Sequence, residues 1–128
     1  MKQFIIAVAM SCVTASAMAE WTSLSDIGYP DTYYIDKSSV RKDGNLRKAW
    51  IIKDFHFFDD VGNNGEQSNR YKQEFDCKEE RIRVLFLTSH SRRMAKGKLL
   101  KTINQPTTWT EVPPETVERE VLNVVCAL

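Results

Sequence analysis

From residue 32 onward, apolar and polar positions alternate in short runs, and each run ends in a cluster of turn-forming residues. "TYYIDK" (32–37) is dense in strand formers, and "EWTSLSDIG" (20–28) before it reads as a first strand ending at Gly28. "DKSSVRKDGN" then reads as a turn, with Asp36 or Ser38 capping a single helical turn and Asp43-Gly44 signalling a hairpin. "LRKAWIIKDF" (46–55) is a third strand. Its centre, Ala49-Trp50-Ile51-Ile52, is apolar on both faces, as expected for a central strand with one face under a helix. Residues 56–68 hold Gly, Asn and Asp in quantity and read as a long loop. "NRYKQEFDC" (69–77) places Tyr71, Phe75 and Cys77 on one face and Lys72, Glu74 and Asp76 on the other. Only "KEE" separates it from "ERIRVLFLTSHS" (80–91), and "RRMAKGK" is a basic turn leading into "GKLLKTI" (97–103).

The period changes at the C-terminus. "PPETVEREVLNVVCAL" predicts a helix with Pro114 in its first turn and Glu115, Glu118 and Glu120 beside the positive end of its dipole. Val117, Val121, Val124 and Leu128 form its main apolar stripe, and Leu122 and Cys126 a second one well around the cylinder. Cys126 therefore belongs to the edge of the helix, or the helix frays before reaching it. The expected class is α+β: six antiparallel strands followed by one helix.

The first residues do not fit that scheme. "MKQFIIAVAMSCVTASAMA" (1–19) has a basic start, a short apolar run and Ala17-Met18-Ala19, the pattern of a secretory signal cleaved after Ala19. The run is too short to span a bilayer as a helix. Cys12 offers a competing processing site, the acylated cysteine of a lipoprotein, although Met10 suits that motif poorly. Cleavage after Ala19 leaves one domain, residues 20–128. The chain has 18 basic and 17 acidic residues, so loss of Lys2 makes the counts equal. A neutral domain has no general attraction for nucleic acid or anionic lipid.

Export also bears on the cysteines. Cys12 leaves with the signal, and Cys77 and Cys126 remain in an oxidising compartment. The simplest reading is one disulfide closing a loop of about 50 residues, worth about 4 kcal/mol in the chain-entropy model. A reactive thiol is the competing reading. A metal site is weaker still, since no His or Cys stands at ligand spacing from either residue.

Several features together resemble the surface-adhesin protein E family of Gram-negative bacteria. They are Trp21, "YYID" (33–36), "SSVRKDGN", Trp50, "FDCKEERIR" with Arg81 and Arg83, Gly97-Lys98, Trp109, Pro113-Pro114 and Cys126. The resemblance implies a six-stranded antiparallel sheet, a C-terminal helix packed on one face, and a disulfide tying sheet to helix. It also implies an exported, adhesin-type binding protein, in the periplasm or on the outer surface, with a protein partner such as a host matrix protein. The alternative is a small periplasmic structural or inhibitory protein. Family members often carry Gly-Ser after the proline at the helix start, where this chain has Glu115-Thr116.

Candidate sites are few. Arg92, Arg93, Lys96, Lys98 and Lys101 form a basic stretch that suits an acidic partner, a sulfated glycan or lipid phosphate, or is simply a solvated turn. Phe57 and Phe58 are adjacent aromatics in a polar loop, suited to anchoring a partner. Asp54, His56, Asp59, Asp60 and Glu66 could bind calcium, but their spacing matches no EF-hand, and no metal or cofactor is expected. Arg81 and Arg83 should pair with Glu74 or Asp76 across the hairpin. His56 and His90 lie in different elements and no catalytic motif is present, so the chain does not read as an enzyme.

Overall fold

The computed structural model describes residues 9, 11, 20–24, 30–56 and 65–128. Seven strands form one antiparallel sheet: β1 (Trp21–Ser23), β2 (Thr32–Asp43), β3 (Leu46–Asp54), β4 (Ser68–Asp76), β5 (Arg81–Arg92), β6 (Lys96–Ile103) and β7 (Thr110–Glu111). One helix, α1 (Val117–Ala127), follows among the described residues. The first six strands run as a meander in chain order. β6 pairs with the second half of β5, and β7 with its first two residues.

Alternation builds the core. Tyr33, Ile35, Ala49, Ile51 and Phe75 point to the face that carries α1, where Val117, Val121, Leu122 and Val125 meet them. Ile35, Ile51, Phe75 and Val125 lose all contact with solvent. Each such side chain stabilises the fold by about 1.5–3 kcal/mol.

Four local readings change. β2 does not stop at Lys37 for a helical turn; it continues to Asp43 across a bulge between Asp36 and Arg41. Asp36 Oδ1 accepts the N–H and the hydroxyl of Ser38 at 3.1 and 2.5 Å. Ser39 Oγ donates to the Asp36 carbonyl and accepts from Trp50 N at 2.9 Å. These side chains replace the missing ladder bonds, so the strand bends and resumes. The apolar run Val84–Leu87 likewise contains a bulge: Lys72 faces Phe86 and Gln73 faces Val84, so Leu85 has no partner on β4. β7 was not anticipated. Gly28, the expected end of the first strand, lies outside the described residues, as do Cys12, Ala17, Met18 and Ala19.

The helix starts later than its prolines suggest. Glu115 takes a positive φ of 63° and Thr116 is extended, so Thr116 becomes the N-cap and its hydroxyl accepts Arg119 N at 3.2 Å. Glu115 thus occupies a left-handed position that favours glycine. The buried row is Val117, Val121 and Val125 with Leu122; Val124 is half-buried and Leu128 exposed. Each four-residue step rotates about 40°, so the row slants towards Leu122 and Cys126. The helix runs through Cys126 without fraying, and its disulfide to Cys77 fastens the flank of the buried stripe.

The turn after β4 holds the helix twice. Cys77 bonds Cys126, and Glu80 pairs with Arg119 Nη1 at 2.9 Å. Arg119 Nη2 also donates to the Val112 carbonyl. Asp76 shapes the turn itself: its carboxylate accepts Lys78 N at 3.2 Å, Glu79 N at 3.0 Å and Arg81 Nε at 3.1 Å. The Glu79 bond foremost, with Arg81 and Lys78 and against desolvation, holds Asp76 below the usual carboxylate range.

Two outcomes are expected. Cys77→Ser and Cys126→Ser each lower stability by up to about 4 kcal/mol in denaturant unfolding, and the double variant is no worse than either single; additive losses contradict one shared crosslink. The Asp76 contribution is complete above its unfolded pKa near about 4 and is lost as pH falls through the lower folded value. Asp76→Asn should therefore be less stable at neutral pH, and its melting curves should vary less with pH in acid than those of the parent.

Candidate functional site

The basic stretch singled out in the sequence forms the β5–β6 hairpin, and the sheet holds it rigidly. Met94 and Ala95 both take left-handed backbone angles, φ 58° and 55°, which cost non-glycine residues energy and need outside support. Two buried side chains provide it. Asp54 Oδ1 accepts Met94 N at 2.8 Å, and Ser68 Oγ accepts Ala95 N at 3.0 Å while donating to the Arg92 carbonyl at 2.5 Å. Gly97 completes the turn at φ 75°, and an added Cβ there would strike Ser91 Oγ, which accepts Lys98 N at 2.7 Å.

The tip is therefore a fixed cationic structure. Arg92, Arg93, Lys96, Lys98 and Lys101 are exposed, and Arg92, Lys96, Lys98 and Lys101 form no ion pair among the described residues. The strand that follows is unusual for its position. β6 is exposed along its whole length and lies at the edge of the sheet, yet Leu99, Leu100 and Ile103 are 56%, 37% and 41% exposed. Edge strands with apolar side chains and unpaired backbone groups are sites of strand addition.

A second feature lies where α1 stops short of β5. A groove of about 300 Å³ is lined by Tyr33, Lys53, Tyr71, Val84, Leu87 and Glu118. Burial, with the Tyr33 and Glu118 charges adding to it, pushes the Tyr71 phenol far up. Burial also raises Tyr33, against the opposing charge of Lys53. Burial opposes the charge on Lys53, but Tyr33 and Asp31 outweigh it, and its pKa is raised. All three shifts favour the protonated forms.

The remaining candidates fall out as follows. Phe57, Phe58, Asp59 and Asp60 lie outside the described residues. Among the described residues no three of His, Cys, Asp and Glu gather as a metal site. Arg83 pairs with Glu74 at 2.6 Å and Arg81 with Asp76 at 3.1 Å, the partners expected across the hairpin. Asp54 and Ser68 were missed as supports of the basic hairpin. Asp54 read as a candidate calcium ligand, and what it holds is a turn 40 residues away.

Gly97→Ala should cost about 2 kcal/mol in thermal or denaturant unfolding, from left-handed strain and contact with Ser91; a neutral substitution would show that the hairpin is not held as described.

The family model for surface-adhesin protein E matches residues 21–127. A crystal form of Haemophilus influenzae protein E matches at a TM-score of 0.60 and 15% identity, over 74% of this chain and 80% of that one. Protein E from non-typeable Haemophilus influenzae matches at 0.59 and 14%, over 88% and 79%. At such identities the structural likeness concerns the fold. A comparison with curated protein sequences gives no match.

Proposed function

Because the chain belongs to the surface-adhesin protein E family, we propose that it is an exported binding protein, not an enzyme, that holds an extended acidic segment of a partner protein along β6 and the basic hairpin. The observation that carries this reading is the pairing of a rigid cationic turn with an exposed apolar edge strand. An added strand would satisfy the outer backbone groups of β6, cover Leu99, Leu100 and Ile103, and set its carboxylates against Lys96, Lys98 and Lys101.

A second copy of the chain meets a charge conflict in the central register. Antiparallel self-pairing centred between Leu99 and Leu100 places Lys98 opposite Lys101 twice, and like charges directly opposite are destabilising. Adhesion in the family name favours a partner outside the cell, such as a host extracellular-matrix protein. Delivery would follow cleavage of residues 1–19 after Ala19, which removes Cys12 and leaves the domain in the periplasm or on the outer surface.

The test combines location and contact. Protease added to intact cells should digest the protein; digestion only after the outer membrane is opened supports the periplasmic alternative and removes surface adhesion. The triple variant Lys96→Gln/Lys98→Gln/Lys101→Gln should bind an immobilised basement-membrane extract about tenfold more weakly, with an unchanged melting temperature. Unaltered binding by that variant overturns the role of β6, and concentration-dependent dimerisation of the parent would show that a second copy takes the edge instead.

A further inference from the structure

Two tryptophans on the sheet face turned away from α1 each sit under a pair of cations. Only one pair has carboxylate partners. Arg81 and Arg83 lie 5.1 and 4.7 Å from the centre of the Trp109 ring. Each also meets a buried carboxylate, Asp76 or Glu74, and Lys48 approaches Glu74 at 3.9 Å. At Trp50 the same arrangement recurs, with the Arg70 guanidinium 4.4 Å and the Lys72 ammonium 6.0 Å from the ring centre. Phe86 packs edge-on at 5.9 Å. Yet neither Arg70 nor Lys72 forms an ion pair among the described residues. The carboxylate facing Trp50 across the ladder, Asp36, is engaged by Ser38 inside the β2 bulge.

Physical chemistry assigns this imbalance a use. Arg70 and Lys72 are alternate residues of one strand, so their Cα atoms stand about 7 Å apart on one face. Two like charges held on one face, Arg70 exposed and Lys72 half-buried, repel, and an anion placed between them relieves the repulsion. Stacking on indole also fixes the guanidinium plane, so its N–H fork is preset for an oxyanion. Beside these cations lies a depression of about 410 Å³, lined by Trp50, Lys72, Leu85, Phe86 and Asn104. It offers apolar walls and one amide.

We infer that this half of the open face binds a sulfated linear glycan. Sulfates would sit on Arg70 and Lys72, a sugar ring would pack its C–H face against Leu85 and Phe86 in the depression, and Asn104 would meet its hydroxyls. A linear chain fits better than a single sugar because the cations continue. Ser68, two residues before Arg70 on β4, holds the Arg92 carbonyl, so the basic hairpin begins beside this site. A single-stranded nucleic acid would need bare aromatic faces for its bases, and here Arg70 covers the Trp50 face. A lipid surface would favour a projection over a depression. The Trp50 site lies on the sheet face and not on the β6 edge; it stands without the protein-partner reading, although a long glycan would share the basic hairpin with it.

The experiment is calorimetric titration of the disulfide-intact protein with a heparin-derived octasaccharide at physiological ionic strength, with thermal melts confirming that each variant is folded. Arg70→Gln/Lys72→Gln should weaken binding at least about tenfold, the equivalent of one charge-assisted hydrogen bond. Lys42→Gln and Lys78→Gln, cations beside the β2–β3 and β4–β5 turns at the far end of the sheet, should change it by less than about threefold. A desulfated octasaccharide should bind weakly or not at all. Absence of binding by the parent, equal loss in every variant, or tighter binding to a single-stranded oligonucleotide or to anionic vesicles would each overturn the proposal.

Discussion

The turn between β4 and β5 is the point on which the rest of the structure depends. Four residues, Cys77 to Glu80, fasten α1 at two places two helical turns apart, by the bond to Cys126 and the ion pair to Arg119. The helix brings Val117, Val121, Leu122 and Val125, without which Ile35, Ile51 and Phe75 would face water. A domain of this size buries a modest core and gains much from a covalent staple. Asp76 keeps the turn in shape through three hydrogen bonds from the residues that follow it.

Where the helix is fastened also decides where the sheet is left bare. The residues under α1 come from β2, β3 and β4, while β5 is only partly covered and β6 not at all. The exposed side of the molecule is therefore β6, the second half of β5 and the hairpin between them. Natural edge strands are commonly blunted by charge, and the lysines of β6 serve that purpose against self-association. On the proposed function they also favour acidic partners. On the face turned away from α1, buried carboxylates balance the Trp109 cluster, and among the described residues no such balance exists at Trp50, which leaves charge there for the proposed ligand.

The sequence was most legible where one period persisted. β4 alternates cleanly, the doubly apolar centre of β3 marked a central strand, and the valine-rich tail announced a helix. Cysteine arithmetic alone pointed to the Cys77–Cys126 link. It was least legible where side chains replaced backbone partners. Asp36, Ser38 and Ser39 carry the chemistry of a helix cap, yet a strand already paired with β3 turned that chemistry into a bulge. β7 is two polar residues with no pattern to find; neighbouring Val112 docks it. The cationic hairpin was visible as composition, but its rigidity was not. That property comes from Asp54 and Ser68, whose link to Met94 and Ala95 exists only after folding. The Trp50 cluster was hidden for the same reason, since cross-strand register alone brings Trp50, Lys72 and Phe86 into line and sets Arg70 beside them.

The Cys77–Cys126 bond has one further consequence, seen by tracing the ring it closes. β5, the basic hairpin, β6 and β7 all lie between the two cysteines. A protease that severs the exposed tip around Met94 and Ala95 cuts a loop rather than a tail. The two fragments stay joined through sulfur and remain interleaved in one sheet. A nicked molecule would run as a single band until reduced. A protein built this way can be clipped at this hairpin and still keep its hold on both halves.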